Sequence, residues 1–270
     1  MQFSNALRMR RLATGILIAL VFLVPIVYVI MISFESPAQF GAHPLQPPVP
    51  PSLGNFGSAW QQGDLGPEIV NTAIYAVAAA GISTGLSLLI AFPVARRLVR
   101  WSSSLYLWFV VGLALPVSYI PLFIEARDLG LYNNRIGYIL LHVEPGLPLG
   151  VLLLTAFVSS IPQELDEAAW LDGVSYPRYI LSFVAPLAWP SIVITFLYSL
   201  LFVWNDIIGP VVFLASPSLF PVARGVYSFY SSNESAYTLL AAAVMIVSAP
   251  VALLFVVSQK QLLRATMGLR

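Results

Sequence analysis

Long apolar runs alternate with short polar segments along this chain, and each run is long enough to cross a lipid bilayer. A spanning helix needs about 20 mostly apolar residues, because each residue adds about 1.5 Å and the hydrocarbon layer is about 30 Å thick. The pattern predicts an all-α membrane protein with six transmembrane helices, at residues 12–33, 69–95, 105–125, 136–158, 187–209 and 237–258. The first run is longer than the roughly 7–15 apolar residues of a signal-peptide core, so it is kept as helix 1.

Composition agrees with this class and excludes several functions. Apolar residues make up 59% of the chain, charged residues 9%, and the mean hydropathy is +0.85, whereas a soluble domain has about 25% charged residues. The absence of cysteine excludes disulfides and a cysteine nucleophile. The one lysine, Lys260, follows Gln259, so there is no GxxxxGK phosphate-binding loop. We therefore expect no cofactor on this chain, with any ATP bound by a partner chain.

Basic residues set the predicted orientation. Ten of the 13 Lys and Arg residues lie in the N-terminal segment, the 96–104 and 159–186 loops and the C-terminal tail. Because basic residues are retained on the cytoplasmic side, both termini and the 159–186 loop are predicted to be cytoplasmic. The prediction divides the chain into residues 1–68, with helix 1 and a proline-rich outer loop, a core of residues 69–258, and a short cytoplasmic tail, 259–270.

The 159–186 loop concentrates charge that the rest of the chain lacks. Within ELDEAAWLDGVSYP, residues 164–177, four of the 12 acidic residues fall in nine positions. Ser160 and Gln163 fit a capping box and Gly173 is a natural stop, which predicts a helix of about three turns. Its spacing places four residues on one face: Leu165, Ala168, Ala169 and Asp172. The acids then either cap a solvated loop or form a docking helix for a soluble partner that carries Arg or Lys.

This segment resembles the EAA signature of bacterial ABC importer permeases, in which Glu-Ala-Ala is followed by Gly after three residues and by a proline-containing apolar element after nine more. The matching positions are Ile161, Pro162, Glu164, Leu165, Glu167, Ala168, Ala169, Asp172, Gly173, Pro186, Leu187 and Pro190. Two positions depart from the pattern, with Phe183 where Ile is usual and Ala185 where Leu is usual.

Further segments are similar to the second permease subunit of maltose-type carbohydrate importers. They are NFGSAW at 55–60, IVNTAIYAV at 69–77, LPLGVLLLTAF at 147–157 and FVWNDIIGPVVFL at 202–214. The end of the chain, RATMGLR, lacks the Gly-rich tail that is frequent in that subfamily.

The resemblance implies a function and a set of partners. It implies a non-catalytic, multi-pass permease of the bacterial inner membrane that imports a sugar or sugar derivative. The implied partners are a second homologous permease subunit, two ATP-binding subunits and an extracytoplasmic solute-binding protein. It also implies that the EAA loop forms a coupling helix that seats on the ATPase. The residues expected in that contact are Glu164, Glu167, Ala168, Ala169, Asp172, Gly173 and Pro186.

Helical rise places several polar residues near the outer surface. Glu144 lies 18 residues before Pro162 and Asp206 lies 20 after Pro186, which corresponds to about 27 and 30 Å along a helix. A sugar path would use such groups, and the candidates are Glu144, Tyr198, Trp204, Asn205 and Asp206. The alternative is an interfacial tryptophan beside solvated charges. Pro145, Gly146 and Pro148 predict a break in helix 4, which either lines a path or is a helix start at Leu147 after a buried loop.

Two rival functions also follow from the residues. GISTG at 81–85 matches the GxSxG of serine hydrolases, and an intramembrane hydrolase would pair Ser83 with His142. The same letters read as GxxxG, which lets two helices approach closely. We expect His142 to be a packed or hydrogen-bonded residue, since no second ligand at metal-binding spacing accompanies it. The other rival is a secondary transporter that needs no ATPase.

Overall fold

A computed structural model describes the backbone of residues 2–232 and 237–267, and the side chains of residues 11–227, 229 and 237–259. Two predicted segments fall partly outside these residues: residues 1–68, whose side chains are described from Arg11 onward, and the tail 259–270, whose side chains are not described beyond Gln259. The described backbone is helical, without strands. This confirms the all-α prediction.

Fifteen α-helices follow one another along the described chain. They are α1 (Gln2–Ser33), α2 (Pro37–Ala42), α3 (Gly54–Gln62), α4 (Leu65–Ala95), α5 (Ser102–Gly112), α6 (Tyr119–Asp128), α7 (Arg135–Leu141), α8 (Leu147–Ser160), α9 (Glu164–Leu171), α10 (Tyr176–Tyr179), α11 (Ala185–Leu187), α12 (Trp189–Trp204), α13 (Ile208–Phe213), α14 (Val222–Ser232) and α15 (Tyr237–Met267). Short 3-10 turns cover Glu144–Gly146 and Pro217–Leu219, and a π-helical turn, Ile180–Val184, joins α10 to α11.

The chain forms two compact units. One comprises Met1–Gly66 with Gly225–Pro250, and the other comprises Pro67–Arg224 with Val251–Arg270. In the first unit the Asn55 amide donates to the carbonyl oxygens of Ser33 and Glu35, at 3.0 and 2.7 Å, and so caps the end of α1. The second unit contains every candidate site residue named above.

Four described segments are long and apolar enough to span a membrane. They are Arg11–Ser33, Leu65–Ala95, Arg135–Ser160 and Tyr237–Gln259. A fifth arises if Tyr176–Leu187 and Trp189–Trp204, which meet at an angle of 88°, are counted together. These segments cover five of the six predicted runs.

The remaining run, 105–125, is not one helix. The chain leaves α5 after Gly112 and re-enters helix only at Tyr119. Pro116 explains the interruption, because it has no N–H for the helical ladder and disfavours helical geometry at the residue before it. The prediction of a continuous third helix is therefore wrong, although both halves are helical.

The predicted break in helix 4 is confirmed. The segment leaves α7 at Leu141, passes through the 3-10 turn and starts α8 at Leu147. A Cβ built on Gly146 would collide with the hydroxyls of Ser83 and Ser199, and one on Gly150 would collide with Ser87. Glycine at these two positions thus lets α8 pack closely against α4 and α12.

Candidate functional site

The acidic stretch folds as a short helix, α9, but without the predicted capping box. Gln163 occupies the N-cap and makes no side-chain capping bond. The Ser160 hydroxyl donates instead to the carbonyl of Phe157, at 2.6 Å, within the last turn of α8. The box therefore fails because α8 extends as far as Ser160. Glu164, Asp166 and Glu167 still occupy the first turn of α9, where the helix dipole favours negative charge.

Gly173 ends α9, as predicted. Its φ of +71° lies in the left-handed region. The Gly173 N–H donates to the carbonyl of Trp170 and the Val174 N–H to that of Ala169, both at 3.0 Å. This pair of bonds is a Schellman motif, in which glycine is the residue best suited to the left-handed position.

The buried face of α9 carries Asp166 and Ala169, which are three residues apart. Ala169 packs into a core formed with Leu154 and Val158 of α8 and with Tyr179. The sequence placed Ala169 on one face with Leu165, Ala168 and Asp172, and that grouping is wrong. Ala169 instead packs α9 against the core of the second unit.

The other residues of α9 and its C-cap, Asp172, are exposed: Glu164, Leu165, Glu167, Ala168, Trp170, Leu171 and Asp172. Leu171 is 90% exposed, and Leu165 and Trp170 are each 49% exposed. These three large apolar side chains are exposed beside the acids of α9. The acidic neighbours suit a partner that brings Arg or Lys to the rim of an apolar pocket.

Asp166 is held inside the chain by an ion pair that the sequence reasoning missed. Arg96 Nε lies 2.5 Å from Asp166 Oδ2, and Nη2 donates to Oδ1 at 3.2 Å. The side chains are 5% and 8% exposed, and the Tyr179 hydroxyl also donates to the carboxylate. Arg96 directly follows α4, and the sequence placed both residues on the same side of the membrane. Their placement on the same side of the membrane was the one feature of the sequence that could have indicated this ion pair.

The region between α9 and α12 bends sharply. Pro186 is exposed within α11, close to the 88° bend before α12. Phe183, one of the two departures from the EAA pattern, stacks on Tyr179 with ring centroids 5.7 Å apart and remains 47% exposed. The larger ring thus extends the exposed apolar surface next to α9.

Asp206 lies in a saturated hydrogen-bond network with Tyr138 and His142, here called the Asp206 network. Its Oδ2 accepts from the Tyr138 hydroxyl at 2.9 Å and faces His142 Nε2 at 2.8 Å, and its Oδ1 accepts from the Gly209 N–H at 3.0 Å. Both carboxylate oxygens of Asp206 are therefore bonded within the chain.

His142 is buried and hydrogen-bonded, as expected. Its Nδ1 lies 2.8 Å from the Tyr138 carbonyl oxygen, while its Nε2 faces Asp206. His142 therefore links the Tyr138 backbone to the Asp206 carboxylate. The adjoining cavity, lined by His142, Asp206 and Tyr119 among others, measures about 30 Å³. That volume suits a water molecule and is far too small for a sugar.

The five predicted path residues separate into two groups. Trp204 is 6% exposed and Asp206 is engaged in its network. Tyr198 is 41% exposed, and Glu144 and Asn205 are also exposed. The Asn205 amide donates to the carbonyl of Leu201 at 2.8 Å, which leaves its side-chain oxygen for other partners. The structure therefore does not bring the five together into one open site.

The hydrolase and GxxxG interpretations of residues 81–85 find no support in the geometry. Ser83 is fully buried against Gly146, and among the described residues its hydroxyl has no hydrogen-bond partner, His142 included. Gly81 and Gly85 are exposed, and no described atom lies within 4 Å of a Cβ built on either. Within the described chain no helix approaches Gly81 or Gly85 closely, and the close helix contacts are made at Gly146 and Gly150 instead.

The N-terminal part of α4 fixes the segment before α14 through three side chains that we call the α4 clamp. The Asn71 amide donates to the carbonyls of Ser218 and Phe220, at 2.9 and 3.1 Å. The Tyr75 hydroxyl donates to the carbonyl of Leu219 at 3.0 Å, and Thr72 Oγ1 accepts from the Val222 N–H at 2.8 Å. All four bonds go to backbone atoms of the held segment. No pattern of side chains in the sequence therefore predicts the clamp.

Comparison with known proteins decides the family. Residues 81–266 match the model of the "Binding-protein-dependent transport system inner membrane component" family. The chain belongs to this family. It is therefore a multi-pass inner membrane protein of a binding-protein-dependent transport system.

Two curated relatives are sugar permeases by name. Over 251 residues the chain is 28% identical to the diacetylchitobiose uptake system permease protein NgcG of Streptomyces coelicolor, covering 92% of this chain and 83% of the relative. Over 212 residues it is 29% identical to the melibiose/raffinose/stachyose import permease protein MelC of Bacillus subtilis, covering 77% of each.

A solved structure shares the fold of this permease-family chain. It is a crystal structure of a bacterial ABC transporter involved in the import of the acidic polysaccharide alginate. The match has a TM-score of 0.84 at 21% identity and covers 96% of this chain and 98% of that one.

Proposed function

We propose that this chain is a permease subunit of an ATP-driven importer for a sugar or sugar derivative, and that α9 is its docking helix for the ATPase subunits. The observation that carries the docking proposal is the exposed face of α9, where acids surround Leu165, Trp170 and Leu171. The named uptake functions of the two relatives support the substrate class.

The proposal includes a topology. Both termini and α9 face the cytoplasm, and the chain crosses the membrane six times. The third crossing is made in two pieces by α5 and α6, and the fifth by the bent segment that ends in α12. Residues 1–68, 69–258 and 259–270 then form the N-terminal segment, the helical core and the cytoplasmic tail.

The partners supply the chemistry. A second homologous permease completes the pathway, a solute-binding protein delivers the sugar, and two ATPase subunits bind and hydrolyse ATP. This chain converts their closure into movement, because a rigid α9 bound to the ATPase shifts with it. Only a differential affinity of ATP for the closed state can drive such a two-state change.

We assign the exposed path candidates to direct contact with the sugar. The buried candidates stabilise the helices that line the path. Tyr198 offers a ring face and an OH, and Glu144 and Asn205 offer acceptor oxygens. Asp206 and Trp204 support the path from within, since neither presents an open face. The identity of the sugar is tested by identifying the ligand that the cognate solute-binding protein carries when purified.

The docking proposal is tested by Glu167→Lys and Leu171→Asp, each in the assembled transporter. Both are expected to reduce ATPase copurification and sugar uptake about tenfold or more, because each places an unfavourable charge at the contact. Leu45→Asp is the matched control, since Leu45 is 79% exposed and lies far from α9 in sequence. Normal ATPase binding by both α9 variants would contradict the proposal, and uptake that persists without any ATPase subunit would favour a secondary transporter.

A further inference from the structure

We propose that Arg96 is the positioning residue that transmits movement of α9 through α4 to the α4 clamp and the segment it holds, residues 218–222. This inference rests on the proposed docking of α9. It concerns a residue outside the docking contact, whose role follows from two sets of contacts at opposite ends of one helix.

The first set joins α9 to the C-terminal end of α4. A helix of eight residues is not stable alone and follows whatever its buried face is attached to. Asp166 provides the polar part of this attachment, because the Arg96 guanidinium contacts both of its carboxylate oxygens and both side chains are buried. Phe92, one turn before Arg96, is fully buried and packs edge-on against Tyr179 with centroids 5.7 Å apart.

The second set joins the other end of α4 to residues 218–222. Asn71, Thr72 and Tyr75 hold this segment only through its backbone, so it must move with α4 or break several hydrogen bonds at once. Arg135 adds a further tie, because its Nη2 donates to Asn71 Oδ1 at 2.9 Å. The clamp is thus ordered from two directions.

The helix between the two sets is continuous. Leu65–Ala95 forms 31 residues of α-helix that continue without a break through Pro93 in the last turn, and the step from Asn71 to Arg96 corresponds to about 38 Å at 1.5 Å per residue. A helix of this length moves as a stiff body, whereas the broken α7–α8 and the bent α11–α12 segments each contain a joint. Of these neighbours, α4 is the segment suited to carry a displacement across the membrane.

The absence of cysteine permits a direct test. Ser218→Cys, at an exposed position, is labelled with an environment-sensitive fluorophore in the full complex with cysteine-free partner subunits. A non-hydrolysable ATP analogue is then added. The wild-type background is expected to give a fluorescence change, and Arg96→Gln is expected to reduce it about tenfold while the analogue still binds. Arg100→Gln, which removes a nearby exposed charge, is expected to leave the change intact.

A second variant tests the route. Asn71→Ala is expected to give the same loss, and Arg96→Gln combined with Asn71→Ala is expected to lose no more than either single change, because both interrupt one pathway. Additive losses, or a full response in Arg96→Gln with the ATPase bound, would overturn the inference.

Loss of the ATPase subunits from Arg96→Gln is resolved by reversing the pair. Arg96→Asp with Asp166→Arg restores binding and the fluorescence change if the ion pair is the link. Failure to restore both overturns the inference. A failure of the proposed function looks different, because Glu167→Lys and Leu171→Asp would then leave ATPase binding unchanged in the otherwise native chain.

Discussion

The α9 region and the Asp206 network both gather polar groups in a largely apolar chain, yet they use them in opposite ways. On α9, Asp166 is bonded within the chain. The other acids of this region, Glu164, Glu167 and Asp172, are exposed beside exposed leucine side chains. In the Asp206 network, both carboxylate oxygens have partners from within the chain. In the docking proposal, the exposed charge and apolar surface of α9 bind a partner, whereas the bonded groups of the Asp206 network stabilise the chain itself.

The difference also separates two kinds of functional residue. A substitution on the exposed face of α9 should alter binding to another protein and leave the fold of this chain alone. A substitution in the Asp206 network should alter the fold first and transport only as a result. Each of the following changes tests one side of this distinction.

Gly173→Pro is expected to have the largest effect. Proline cannot adopt the φ of +71° and has no N–H to donate to Trp170, so the end of α9 is lost at a cost of about 3 kcal/mol or more. Copurification should show loss of the ATPase subunits from a chain that still inserts into the membrane. Gly173→Asn is the matched control, because asparagine tolerates the left-handed region and should retain them. Retention by the proline variant would mean that the shape of α9 does not matter for docking.

Asp206→Ala is expected to destabilise the chain by about 3 kcal/mol, because it leaves the buried His142 and Tyr138 facing an empty acceptor position. Thermal unfolding in detergent measures the effect, and Asp206→Asn should lose less because its amide oxygen still accepts. The contrary result is reduced uptake with unchanged thermal stability, which would return Asp206 to direct contact with the sugar.

The neighbouring alanines of α9 provide a matched pair. Ala169→Leu overpacks the core against Leu154 and Val158 and should cost about 1–3 kcal/mol of stability in the isolated chain. Ala168→Leu lies on the exposed face and should leave stability unchanged but weaken ATPase binding. Equal destabilisation by both would show that α9 has no exposed face in the membrane-embedded chain.

The sequence predicted features that depend on local geometry or on apolar length. The runs near 12–33, 69–95 and 237–258 coincide with long helices, and the run near 136–158 coincides with the broken α7–α8 segment, because hydrophobic length alone specifies such spans. The stop at Gly173 follows from the access of glycine to the left-handed region, and the break near Pro145 follows from the fixed φ and missing N–H of proline. The interruption at Pro116 was also readable, but the apolar residues on both sides concealed it.

Features that depend on distant partners could not be predicted in the same way. Arg96 and Asp166 are 70 positions apart, and Asn71 meets backbone atoms 147 positions away. Ser160 fitted a capping box by spacing, but α8 continued through it because its hydroxyl found a carbonyl within that helix. The first two cases are tertiary contacts and the third is a competing local hydrogen bond, and a pattern of residue types encodes none of them.

Gly85→Ala is expected to have the smallest effect and to stabilise. The glycine lies inside α4, and no described atom lies within 4 Å of an added Cβ. Alanine should therefore contribute its higher helix propensity, up to about 1 kcal/mol. Gly150→Ala is the contrasting change, because Ser87 and Thr195 leave no room for a methyl group and the variant should lose stability. Thermal unfolding of the two purified variants compares them directly. A loss of stability in Gly85→Ala only when the second permease is present would place that face of α4 against the partner subunit.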